Sequence, residues 1–113
     1  MKLTRKETVR KNKFGADLCV YKVNRKEAGI AYIRVKKGHF EEFSNKKSTF
    51  IYYILKGSGT FYLNGKANKV KETDVIVIPP KTKAYYLGNM KLILVTAPAW
   101  QAKYEVHIRN IKK

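Results

Sequence analysis

The sequence predicts an all-β domain, a barrel or sandwich of the jelly-roll kind, and three observations predict it. Short apolar runs rich in Val, Ile, Tyr and Phe recur along the chain, each closed within a few residues by a turn signal. Nowhere does an apolar residue recur at helical spacing for two full turns. About eight to ten such segments fit into 113 residues, the density of a small closed β-domain.

The central stretch spans residues 50–80. Residues 50–55 are an unbroken apolar run that stops at Gly57-Ser58-Gly59, as expected of a strand buried on both faces. Residues 60–63 form a second run closed by Asn64-Gly65, the dipeptide suited to the two positive φ angles of a type I′ hairpin. Residues 75–78 form a third, ended by Pro79-Pro80, which cannot donate ladder hydrogen bonds.

Ahead of this stretch, residues 1–13 are polar and basic and read as a flexible arm or a short edge strand. Residues 14–113 read as one barrel domain. Phe14-Gly15 is a turn, residues 17–23 and 30–35 are strands, and residues 39–49 are an irregular polar segment. After the central stretch come a strand over residues 84–87, a turn at Gly88-Asn89 and a buried strand over residues 91–96. The chain leaves the barrel through Ala97-Pro98-Ala99-Trp100 into a tail with alternating apolar residues.

Bulk properties narrow the function. No apolar run approaches the roughly 18 residues of a membrane helix, and the first residues carry no signal-peptide core, so the expected location is cytoplasmic and no membrane partner is expected. Cys19 is the only cysteine, which excludes an internal disulfide, and its apolar neighbours make it an inert core thiol. The net charge of +17 favours polyanions, yet lysines far outnumber arginines and are spread along the chain. Non-specific association with nucleic acid is the expectation this pattern supports.

The framework segments Tyr52-Tyr53-Ile54-Leu55-Lys56-Gly57-Ser58-Gly59-Thr60-Phe61 and Asp74-Val75-Ile76-Val77-Ile78-Pro79-Pro80 resemble those of small cupins. The spacing of the two cupin motifs can be laid on the chain from Gly38 to Gly57 and from Thr73 to Gly88. The resemblance implies a cupin jelly-roll barrel. In metal-binding members, the ligand positions of these motifs hold two His, a Glu and a further His; here they hold Ser44, Lys46, Phe50 and Ala84. Phe and Ala cannot ligate and an ammonium repels a cation, so no metal and no other cofactor is expected.

Strand alternation, with position 50 inward as in the family, turns Phe50 and Tyr52 into the barrel and Ile51, Tyr53 and Leu55 outward. By the same parity Ala84 and Tyr86 point inward. The candidate pocket is therefore Ser44, Lys46, Phe50, Tyr52, Ala84, Tyr86 and Trp100, and it suits a small anionic or sugar-like ligand. The preferred expectation, however, is a barrel filled by those same side chains. The outward set Ile51, Tyr53 and Leu55 is a candidate homodimer face.

Three functions remain open on the sequence. The leading one is a non-enzymatic, metal-free module for binding a small molecule or for homodimerisation. The second is a metal-independent sugar isomerase or epimerase, with Tyr52 or Tyr86 as acid and Lys46 or His39 as base, although no His–carboxylate pair stands at a suggestive spacing. The third is a basic nucleic-acid-associated protein.

Overall fold

A computed structural model describes residues 1–112; the last residue of the expected barrel domain, Lys113, lies outside the described residues. The architecture is organised on two long antiparallel strands, β5 (Thr49–Leu63) and β8 (Ala84–Ala97), which pair along their whole length. Four shorter strands flank this ribbon. On the far side of β5 lie β7 (Val75–Ile78), against its first half, and β6 (Lys66–Lys71), against its second. On the far side of β8 lie β3 (Gly29–Val35) and β4 (Gly38–Asn45). The sheet continues from β3 through β2 (Ala16–Tyr21) to β1 (Thr8–Lys13), and from β4 to β9 (Glu105–Asn110). Two single-turn 3-10 helices, Arg5–Glu7 and Ala102–Tyr104, precede β1 and β9.

The curled antiparallel sheet is the expected jelly-roll barrel, but several strand boundaries differ from the sequence expectation. Gly57-Ser58-Gly59 does not end a strand, and Gly88-Asn89 is not a turn; both lie inside the long strands. Gly59 pairs with Gly88, and a Cβ at Gly88 would lie 2.5 Å from the Ser58 carbonyl oxygen. At Gly59 an added Cβ would collide with the Leu87 carbonyl. Glycine here lets two backbones approach and bend, which is the meaning of glycine inside a strand.

A bulge between Ile54 and Lys56 leaves Leu55 as the extra residue and shifts the alternation of β5. Tyr52 and Ile54 face the core before it, and Phe61, fully buried, faces the core after it. Ile51 is half-buried, while Tyr53 and Leu55 remain 37% and 43% exposed on the outer face, beside the exposed Val75 and Val77.

The segment expected to be irregular, residues 39–49, is largely strand β4. Its polarity hid it, because its polar side chains are buried and paired. Glu42 takes an ion pair from Arg109 at 2.9 Å, and Glu41 pairs with His107 at 2.7 Å. The Asn45 side-chain oxygen accepts from the backbone amides of Lys47 and Ser48 at 3.0 and 2.8 Å and closes the turn into β5. Strand β9 supplies both partners of the two acids.

The Gly59–Gly88 approach generates a stability prediction. Gly59→Ala and Gly88→Ala should each cost about 3 kcal/mol or more, since backbone and not a flexible side chain must yield. Gly65→Ala, whose added methyl meets nothing within 4 Å, should cost only about 1 kcal/mol for its left-handed backbone. Urea unfolding midpoints of the three variants check the ranking.

Candidate functional site

The barrel is not filled. A cavity of about 210 Å³ opens among β1, β2, β3, β4, β5, β8 and β9, far more than the roughly 10–15 Å³ that one water needs. The expectation of a packed interior is corrected: Phe50, Tyr52 and Tyr86 pack against one another along one wall and leave the cavity beside them open.

Of the residues proposed from sequence, Phe50, Tyr52, Tyr86 and Trp100 line this cavity. The other three do not. Ala84 is fully buried at the start of β8, between Phe43 and Leu63, and packs in the core. Ser44 is buried on the strand face opposite Phe43. Lys46 is exposed in the turn after β4 and contributes no cationic mouth. Ser44, Lys46, Phe50 and Ala84 therefore form no donor set for a metal ion. Among the described residues no three His, Cys, Asp or Glu side chains gather to hold one.

The missed residues are Glu41 and Phe43 from β4, Glu105 from β9, and Lys11 and Lys13 from β1; His39, weighed from the sequence only as the base of an isomerase, joins them from β4. His39 and Glu41 are two apart on one strand and so share a face, a signal that became visible only once β4 was a strand. The sequence expectation that no His–carboxylate pair exists is thereby overturned.

His39 is 7% exposed and packed among rings: it stacks on Tyr86 at 5.3 Å between centroids and meets Phe43 edge-on at 5.2 Å. Its Nδ1 lies 3.2 Å from the Glu41 carbonyl oxygen, which can only accept, so that nitrogen carries the proton. Nε2 is then the unprotonated nitrogen, 3.8 Å from Glu41 Oε1. Burial pushes the imidazole down to about 4 against the pull of the Glu41 charge, and the ring is neutral at pH 7.

Tyr52 and Tyr86 stand edge to face at 5.3 Å and share a hydrogen bond. Burial raises both phenols well above their ordinary value, and the bond raises Tyr52 while lowering Tyr86, so Tyr52 donates and Tyr86 accepts. Burial also raises Glu105, opposed by hydrogen bonds from Asn45 and Trp100. The site thus combines a neutral imidazole with a free lone pair, two protonated phenols and a buried carboxylate. Such a set can move a proton at carbon or oxygen.

No family model matches the chain. Among solved structures it is similar to Pac13, described as a unique nucleoside dehydratase: 41% identity over 99% of this chain and 93% of that one, with a TM-score of 0.97. An RmlC-like cupin from Shewanella frigidimarina shares the fold at 17% identity, 85% and 88% coverage and a TM-score of 0.70. The chain belongs to the cupin superfamily. A shorter match, 48% identity over 44 residues, links this cupin to an uncharacterised protein of Methanocaldococcus jannaschii; it spans 37% of this chain and 35% of that protein.

Three variants of the Streptomyces Pac13, each solved with uridine, change one His to Gln and two Tyr to Phe. Their changed positions are 13 and 34 residues apart, the separations of His39, Tyr52 and Tyr86 in this cupin. The expectation of a non-enzymatic binding or dimerisation module is corrected by this relative, which is an enzyme alike over nearly the whole chain.

The buried histidine sets a pH dependence. The unfolded chain protonates this ring near 6.5 and the folded chain only near 4, so between these values the unfolded state binds the extra proton. Stability should fall as the pH drops through that window, by on the order of 3 kcal/mol from this residue. Urea unfolding from pH 7 to 4 should show a shallower decline for His39→Gln; an unchanged slope would exclude a neutral buried ring.

Proposed function

We propose that this cupin is a lyase that eliminates water from the sugar of a uridine-like nucleoside. The observation that carries the reading is the convergence of His39, Tyr52 and Tyr86 on one cavity, at the spacing of the positions altered in the uridine complexes of Pac13. The enzymatic alternative from the sequence is retained in kind, with elimination in place of isomerisation.

The chemistry follows from the protonation states. His39 Nε2 offers its lone pair to a sugar C–H, and the bonding electrons of that C–H move to form a carbon–carbon double bond. The imidazolium so made is compensated by the Glu41 carboxylate beside it, the role an acid plays behind a catalytic histidine. The neighbouring hydroxyl departs with its C–O electron pair and takes the proton back from the imidazolium as water. His39 ends neutral, and no proton is gained or lost overall. Tyr86, protonated throughout, accepts from Tyr52 and keeps its own O–H free to donate to a sugar oxygen, while Tyr52 holds that phenol in place and helps fix the ring over the imidazole.

A panel of nucleosides incubated with the protein and read by mass spectrometry should yield a product lighter by one water. His39→Gln should lower that rate by about 10²-fold or more while still binding uridine in calorimetry. Unchanged turnover in this variant would remove His39 from the role of base.

The outer apolar strip of half-buried Ile51 with exposed Tyr53, Leu55, Val75 and Val77 supports a second proposal, that two copies pair through this face. Sedimentation velocity should give a dimer for the native chain and a monomer for Tyr53→Glu.

A further inference from the structure

Strand β1 is a sheet edge, yet its inward face carries cations. Lys11 lies across from Leu18, which lines the cavity, and Lys13 across from the fully buried Ala16. Both ammonium groups lie over one indole, that of Trp100, at 5.0 and 4.6 Å from its centroid. Each such contact is modest, about 0.5–1 kcal/mol at an exposed site, and the two cations that share the ring repel each other. Arg25, which also lines the cavity, is paired with Glu27 at 2.9 Å. Among the described residues neither Lys11 nor Lys13 has a carboxylate within 4.0 Å.

Two unpaired ammonium groups converging at a cavity are the arrangement that a dianion completes. Lysine binds phosphate as a point charge and needs no planar fork to do it. A phosphate monoester carries close to two negative charges at neutral pH and so matches two ammonium groups that have no ion-pair partner within 4.0 Å among the described residues. Lys13 also faces inward: its charge is felt by both His39 and Glu105. An anion at the rim would therefore continue into the site.

We propose that Lys11 and Lys13 form a phosphate-binding rim and that the substrate is a phosphorylated nucleoside, with its base and sugar in the cavity. The proposal rests on the nucleoside reading above and narrows it to a nucleotide. The rim at Trp100 also offers an indole face on which a base or sugar can lie.

The test is calorimetric titration of the full chain with uridine, uridine 5′-monophosphate, uridine 3′-monophosphate and inorganic phosphate, at low and at high salt. One of the two nucleotides should bind about tenfold or more tighter than uridine at low salt, and the advantage should shrink as salt screens the rim. In the Lys11→Ala, Lys13→Ala double variant the ratio of nucleotide to uridine affinity should collapse towards one. Uridine binding as tightly as both nucleotides overturns the rim alone, and leaves the lysines as charges that protect a sheet edge. Inorganic phosphate binding as tightly as either nucleotide overturns it too, in favour of a free-anion site. If neither uridine nor a nucleotide binds, the nucleoside reading falls and takes the rim with it.

Discussion

The close approach of Gly59 to Gly88 is the constraint on which the rest of the molecule depends. Two strands of 15 and 14 residues stay paired throughout only because neither presents a Cβ where they bend together. The bend lets each half of the ribbon carry its own flanking strands. On the β8 side it hands the sheet from β3 to β4, and that exchange places His39 across from Tyr86. The histidine–tyrosine stack, the centre of the candidate site, is a product of the same backbone geometry.

Strand β4 bears an electrostatic cost that β9 offsets. Burying Glu41 and Glu42 without partners would cost several kcal/mol each. His107 and Arg109 arrive on adjacent turns of the pleat to meet them. The carboxylate of Glu41 is held at one oxygen by His107 while the other faces His39. Phe14, from the first hairpin turn, stacks against His107 and lies edge-on to His39, so the pair of imidazoles and the acid between them share one aromatic cover.

Much of the fold was legible because β-barrel strands alternate or run apolar between turn residues. The hairpin at Asn64-Gly65, the stop at Pro79-Pro80 and the inward set Phe50, Tyr52 and Tyr86 all follow from that rule. Where local signals and tertiary context conflict, the sequence misleads. Glycines that punctuate loops elsewhere are here the crossing point of two strands, and a polar segment that looks irregular is a buried strand with distant partners. Half the site was lost with that strand. His39 and Glu41 are neighbours in sequence, but their buried pairing depends on β9, more than sixty residues away. Lys46 failed for the opposite reason: a family spacing carried it to a pocket position, while the Asn45 turn carries it to solvent.

The dependence of β4 on β9 also orders events in time. Strand β9 follows β1 to β8 in the sequence, and until it pairs, Glu41 and Glu42 lack their partners. A growing chain can form the β5–β6 hairpin early, since those two strands are adjacent in sequence. It cannot close the barrel over its site before its final strand is available. The site thus becomes competent only after β9 has docked, and the strand that completes the barrel also partners the acid beside its candidate base.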